Sequence, residues 1–251
     1  MHNPSSIIEI LPWDTQFFGY RIARIYYRQC RNIPSQHISR YLADEEIALV
    51  YCILEDSHTV SDDEISRAET LASSLGDIFQ QEKIIFSKPF QGSSSGDLPP
   101  LVFEYSSGSI NEQLLNLAYE AGIYSRYRLD PHFKQNEFKR LYSEWMKNSL
   151  SHTFADKVYA ARENNRILGM ITLKKKNSSM AIGLISVAKE ARGKHIGTSL
   201  IEAAEYYAGT QHTASITVAT QASNAAAAAF YRKCGFRQLK KDCVFHIWPE
   251  E

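Results

Sequence analysis

Four cysteines in 251 residues leave little basis for a covalent or metal scaffold. Cys30, Cys52, Cys234 and Cys243 are scattered and form no Cys-x-x-Cys pair, so neither a disulfide framework nor a metal site is expected. Reduced thiols follow. An excess of charge is missing too: Lys+Arg and Asp+Glu both number 28, for a net charge of zero. This excludes a nucleic-acid binder that relies on bulk electrostatics, but not a local basic pocket. It leaves a homodimer open. No apolar run approaches the roughly 20 residues that a membrane span needs. The opening Met1-His2-Asn3-Pro4-Ser5-Ser6 lacks the charged and apolar regions of a secretion signal. A cytoplasmic protein without membrane insertion is expected.

Hydrophobic residues make up 44% of the chain, enough for two modest cores or one large one. The segment 91–100, Gln-Gly-Ser-Ser-Ser-Gly-Asp-Leu-Pro-Pro, reads either as a linker or as a long surface loop. Taken as a linker, it predicts domains at 1–105 and 106–251. In the first, 7–11 and 17–27 look extended, 47–54 is an apolar run, and 65–75 has helical spacing that ends at Gly76. Strands follow around 83–90 and 101–105. In the second, the order is helix (111–121), helix (133–148), strands (158–162, 167–173, 180–187), helix (196–207), strand (214–220), helix (225–234), and a strand pair within 236–248. Asn164-Asn165 suits a hairpin turn. The pattern predicts a mixed α/β sheet with helices on its faces.

Two stretches carry candidate chemistry. The first is Arg192-Gly193-Lys194-His195-Ile196-Gly197, a basic, glycine-bearing turn between a strand and a helix. A helix start leaves N–H groups unpaired, and glycine lets backbone approach an anion closely. Phosphate binding and an ordinary glycine-capped turn both remain open here. The second is Asn224 with the helix that it opens. Asn224 and Tyr231 lie nearly two turns apart and share a face. The alanines from 225 to 229 keep that face thin, which suits a slender ligand. The alternative is a helix packed closely on a sheet.

Together these stretches resemble the GNAT superfamily of N-acetyltransferases. Its pyrophosphate motif, Gln/Arg-x-x-Gly-x-Gly/Ala, resembles Arg192 to Gly197, with His195 where the first glycine usually stands. Its later signature resembles Asn224, Ala227, Phe230, Tyr231, Gly235 and Phe236. The resemblance covers roughly 110–248 and implies the GNAT fold with acetyl-CoA as acyl donor. It implies that Arg192, Gly193, Lys194, His195, Ile196, Gly197 and Thr198 hold the pyrophosphate. Ile185, Ser186 and Val187 would line the pantetheine arm, with the Val187 N–H polarising the thioester carbonyl. Asn224 and Ala227 would contact the same arm, and Tyr231 would be the general acid. A cysteine intermediate is not expected, because no cysteine adjoins a plausible base. As bases, His246, Asp14 and Asp130 each have a plainer structural reading, and none is chosen.

The acceptor is read from a second resemblance. Leu11-Pro12-Trp13-Asp14-Thr15-Gln16-Phe17-Phe18-Gly19, by itself a core-packing strand, resembles from Trp13 onward the opening of the dTDP-fucosamine N-acetyltransferase group. Ser125-Arg126-Tyr127-x-x-Asp130-Pro131-x-Phe133 and Phe245-His246-x-Trp248 resemble its sugar-nucleotide branch. That branch implies a reduced GNAT-like half-domain at the N-terminus, and 72–79 echoes the helix–glycine–strand of 231–236. The implied substrate is a dTDP-4-amino-4,6-dideoxyhexose, contacted by Trp13, Asp14, Phe17, Phe18, Arg126, Tyr127 and His246. Arg126 suits a diphosphate, or else pairs structurally with Asp130. Another amine (a peptide, polyamine or aminoglycoside) and a non-catalytic acyl-CoA sensor remain alternatives.

Overall fold

The computed structural model describes residues 6–56, 59, 61–90, 97–134 and 136–250. The chain runs β1 (Glu9–Ile10), α1 (Pro12–Phe18), β2 (Arg21–Tyr26), α2 (Tyr27–Cys30), α3 (Ser35–Asp44), β3 (Ile47–Leu54), α4 (Asp62–Ser73) and β4 (Asp77–Pro89). It continues through β5 (Val102–Glu104), α5 (Glu112–Ala121), α6 (Arg126–Leu129), α7 (Glu137–Leu150), β6 (Lys157–Glu163), β7 (Arg166–Lys176) and β8 (Ser179–Val187). After a short 3-10 turn, Lys189–Ala191, come α8 (Ile196–Thr210), β9 (Ser215–Gln221), α9 (Ala225–Lys233) and β10 (Arg237–Trp248). Among the described residues, no helix is long and apolar enough to cross a membrane.

The chain forms two compact units: Met1–Ile84 with Lys240–Glu251, and Ile85–Leu239. The dividing lines fall inside β4 and β10, not in the segment 91–100, of which residues 91–96 lie outside the described residues. The domains expected at 1–105 and 106–251 therefore do not match the compact units. The reason is strand pairing. β10 runs antiparallel to β3, with Cys243 opposite Leu54 and Ile247 opposite Val50, so the last strand belongs with the first unit.

In the first unit the strand order is β1-β2-β3-β10-β4. β2 and β3 are parallel, and alternate residues, Ala23 and Ile25 of β2 with Val50, Cys52 and Leu54 of β3, face a core shared with Phe245 and Ile247 of β10. α4 starts on Ser61, whose hydroxyl accepts from the Glu64 N–H, with Asp62, Asp63 and Glu64 in its first turn. The stretch expected as a strand at 13–19 is the helix α1. Pro12 is pre-set for the first turn of a helix, and Gly19 at φ 83° ends it. Phe17 therefore lies within a helix that Phe18 closes, and the extended chain begins only at Arg21.

In the second unit the order is β4-β9-β8-β7-β6-β5. Asn164 and Asn165 turn β6 into β7 with both φ values positive, 47° and 61°, as a tight hairpin with right-handed twist demands. Asn111 caps α5, its Oδ1 accepting from the Leu114 N–H at 2.7 Å. α8 is apolar along one stripe, and Ile196, Leu200, Ala204 and Tyr207 are all buried. The strand pair expected within 236–248 is one long strand, β10. Both α4–Gly76–β4 and α9–Gly235–β10 run helix, glycine, strand, as the echo between 72–79 and 231–236 suggested.

Candidate active site

β8 is the strand that makes a site. It pairs in parallel with β9 only from Ser179 opposite Ser215 to Ile182 opposite Val218. On its other side it stays paired with β7 out to Val187 opposite Gly169, with a register shift between Ile171 and Leu173. The shift sets Gly183 and Leu184 of β8 against the single residue Thr172. That is a β-bulge, and a bulge bends its strand. The buried Thr172 hydroxyl accepts the Leu184 N–H at 2.8 Å and so satisfies the interrupted ladder. Gly183 is exposed in mid-strand; a Cβ there would meet the Thr172 hydroxyl at 2.8 Å. The bulge and the end of pairing with β9 coincide, so the last residues of β8 keep one open edge.

Register decides which backbone groups face that edge. The Ala188 N–H donates to the Leu168 carbonyl at 2.8 Å, which makes Ala188–Leu168 a hydrogen-bonded pair. Hydrogen-bonded and non-hydrogen-bonded pairs alternate along an antiparallel ladder. Val187 and Ile185 therefore turn their N–H and C=O groups away from β7, toward the open edge. The guanidinium of Arg192 agrees, its Nε donating to the Val187 carbonyl at 3.3 Å. Ser186 differs from the expectation that all three residues offer backbone to a ligand. Its backbone faces Met170 of β7, while its buried hydroxyl has no hydrogen-bond partner.

The turn that follows has the backbone of a cradle. Among the described residues, the N–H groups of Gly193, Lys194, His195, Ile196, Gly197 and Thr198 have no backbone acceptor. Gly193 has φ 77° and nothing within 4 Å of where a Cβ would stand. His195 also sits in the left-handed region, φ 61° and ψ 4°, and its side chain caps nothing. A glycine would hold that conformation without strain, which gives the physical reason for a glycine at this motif position. Residues 192–195 are exposed, whereas Ile196 is buried and anchors the helix. A Cβ on Gly197 would stand 3.0 Å from the Phe230 ring, so α8 and α9 approach each other closely here.

α9 supplies the remaining groups. The Asn224 side chain caps the helix, Oδ1 accepting from the Ala227 N–H at 3.1 Å. Its amide nitrogen keeps its donors, while Ala227 has only its methyl group left to offer a ligand. Tyr231 is 4% exposed, its ring packed on Phe86, Phe230 and Phe236 at centroid distances of 5.6–5.9 Å. Among the described residues its hydroxyl makes no hydrogen bond. Burial pushes its pKa well above the usual phenol value, so the proton is held firmly.

The residues expected at the acceptor fall in different units. In the second unit, the Arg126 guanidinium lies 4.9 Å over the Tyr127 ring and donates to its hydroxyl at 2.8 Å. Asp130 is buried and accepts from the backbone N–H and Nδ1 of His132, at 3.0 and 2.9 Å. In the first unit, Trp13 stacks on Phe17 at 5.2 Å and is 39% exposed, Asp14 lies in the first turn of α1, and Phe18 is buried. His246, expected in the catalytic domain, belongs to the first unit. It is fully buried on β10, 4.9 Å from the Tyr51 ring and 5.9 Å from Phe79. It lies on the face of β10 opposite Phe245 and Ile247, and its full burial removes it as an exposed base. Among the described residues, no three His, Cys, Asp or Glu side chains converge as a metal site.

Sequence reading missed Glu120. Its carboxylate accepts from Lys189 and Arg192, both at 3.3 Å, at the edge of the cradle. A lone acid near a helix end carries no motif that singles it out.

Residues 118–236 match the acetyltransferase (GNAT) family. The chain is 28% identical over 142 residues to the spore coat polysaccharide biosynthesis protein SpsD of Bacillus subtilis (strain 168). That match covers 55% of this chain and 47% of SpsD, so the chain spans about half the length of that relative. Among solved structures, a conserved protein of unknown function from Staphylococcus epidermidis superposes with a TM-score of 0.61 at 10% identity, covering 96% of this chain and 89% of that one. A GCN5-related N-acetyltransferase from Sphaerobacter thermophilus gives 0.54 at 14% identity, covering 97% and 77%. At these identities the likeness is one of fold: a mixed sheet flanked by helices.

Proposed function

We propose that the protein, whose residues 118–236 match the acetyltransferase (GNAT) family, is an acetyl-CoA-dependent N-acetyltransferase acting on a primary amine. The observation that carries this is the parting of β8 from β9 after Ile182, beside a turn of unpaired N–H groups. An open strand edge suits an extended, amide-bearing arm, and the cradle suits a diphosphate. The residues present thus fit acetyl-CoA, which supplies an acyl thioester activated toward amines. Arg192, Gly193, Lys194, His195, Ile196, Gly197 and Thr198 would hold its diphosphate. The backbone of Ile185 and Val187, the hydroxyl of Ser186 and the amide of Asn224 would line its arm.

The chain's own chemistry follows from two donors. The Val187 N–H faces the open edge and is fixed by the β7 ladder, so it donates to a developing oxyanion without reorganising. The Tyr231 phenol holds its proton at ordinary pH and donates it toward a departing sulfur. Such an acid contributes modestly, about 10²-fold, because a thiolate is already a good leaving group.

For the acceptor we infer the 4-amino group of a dTDP-4-amino-4,6-dideoxyhexose, in polysaccharide synthesis. The support is the likeness of 13–19, 125–133 and 245–248 to the sugar-nucleotide branch, and the likeness of the chain to SpsD. Of the residues expected to contact it, Arg126 and Tyr127 share a unit with the cradle and are assigned to it. The test incubates the protein with acetyl-CoA and a panel of dTDP-amino sugars, polyamines, aminoglycosides and peptides, and follows free thiol and acetylated product. Thiol release matched by N-acetylated dTDP-sugar is expected. Release with another amine alone would overturn the substrate. Measurable CoA binding with no release on any amine would overturn the enzyme and leave an acyl-CoA sensor.

A further inference from the structure

Arg192, the leading residue of the cradle, is already occupied. Its Nε donates to the Val187 carbonyl and its Nη2 to Glu120 Oε2, each at 3.3 Å. The other oxygen of the same carboxylate takes Lys189 at 3.3 Å. Glu120 sits in the last turn of α5 with a side chain 27% exposed, while Arg192 and Lys189 are 55% and 71% exposed. The one other acid of the turn, Glu190, pairs with Arg166 at 2.6 Å. Glu120 is therefore the anion that neutralises the basic edge of the cradle.

We propose that Glu120 is an internal counter-ion that competes with the bound diphosphate for Arg192, and so sets how tightly CoA and its thioesters are held. This rests on the acetyl-CoA reading above. A guanidinium–phosphate pair is charge-assisted and can be bidentate, whereas the pair with Glu120 is single and longer than an optimal charged hydrogen bond. An incoming diphosphate takes the guanidinium over, and Glu120 is left facing a second anion. That repulsion weakens binding and speeds release of the spent CoA. Arg192 stays tethered through Nε to Val187 throughout, so the handover moves one end of the fork only. Glu120 is thus a positioning residue for Arg192. It touches no reacting atom.

The test measures CoA binding by calorimetry for the wild type, Glu120→Gln, Arg192→Gln and the double variant, at low and high salt. Removing a half-buried like charge beside the ligand should tighten CoA binding about two- to fivefold. The gain should shrink as salt rises, and most of it should vanish in the Arg192→Gln background, where no guanidinium is left to hand over. In turnover, KM for acetyl-CoA should fall by a similar factor while kcat stays level or falls. A purely structural Glu120 would never tighten binding when replaced. Unchanged or weaker binding by Glu120→Gln, with the wild type binding CoA, overturns this inference alone. A wild type that binds no CoA overturns the acetyl-CoA reading, and this inference with it.

Discussion

Replacing His195 by glycine should stabilise the protein, against the usual direction of substitutions to glycine. The native backbone at this position is left-handed, φ 61° and ψ 4°, and the imidazole neither caps α8 nor sits buried. For an ordinary residue that conformation costs roughly 1–2 kcal/mol. Glycine adopts it freely but gives back roughly 0.5–1 kcal/mol through the greater freedom of its unfolded chain. The net gain is about 0.5–1 kcal/mol, or about 1–4 °C in the unfolding midpoint for a chain of this size. His195→Ala is the control. It removes the same ring and keeps the strain, so it should stay within about 0.5 kcal/mol of the wild type. Urea and thermal unfolding of the three proteins, side by side, decide the matter. If glycine is no more stable than alanine, the left-handed strain at His195 is not what the geometry says it is.

Tyr231→Phe should lower turnover about 10²-fold while leaving CoA binding largely intact; unchanged turnover would remove Tyr231 as the acid. Because burial raises the Tyr231 pKa, the wild-type rate should show no alkaline decline from this group up to about pH 10, the ordinary phenol range. Tyr142 is a stability probe. Burial raises its pKa to about 12 in the folded protein. A neutral phenol held in the folded state stabilises fully below the unfolded pKa, about 10, and that contribution is lost as pH rises toward 12, an amount of roughly 2–3 kcal/mol. Tyr142→Phe should therefore lose less stability between pH 9 and pH 12 than the wild type in denaturant titrations; equal losses would refute the assignment.

The local signals in this sequence are clearest where chain neighbours alone determine the structure. Asn111, Asn164-Asn165 and Asn224 mark their cap, turn and cap, because each acts on its own backbone within three residues. The helix α1 was hidden by its aromatics: Trp13, Phe17 and Phe18 read as strand formers, while Pro12 and Gly19, the stronger signals, bracket a helix. The site was legible in part. The turn at 192–197 announces itself by glycine and charge, and even the odd histidine falls where the backbone is strained. The open edge of β8 was not readable, since it depends on a bulge against Thr172 and on where β9 stops pairing. Both are facts of register between strands, which no local pattern records. Glu120 was invisible for the same reason, lying 72 residues before the arginine that it holds.

The division of the chain into units has a consequence in time. The first unit needs residues 240–250, yet 155 residues of the second unit (85 through 239) are made before them. At ordinary synthesis rates that is a delay on the order of 10–30 s. Through that interval the nascent first unit lacks β10, the strand that lies beside β3 and carries the fully buried Phe245 and Ile247. One edge of β3, rich in Leu, Val and Ile, stands ready to pair with whatever strand is near. The second unit carries no such debt to later residues and can close first. For this protein the ribosome therefore finishes the later-encoded unit before the earlier one. The waiting edge of β3 is the point at which crowding or a slow C-terminus would turn folding into aggregation.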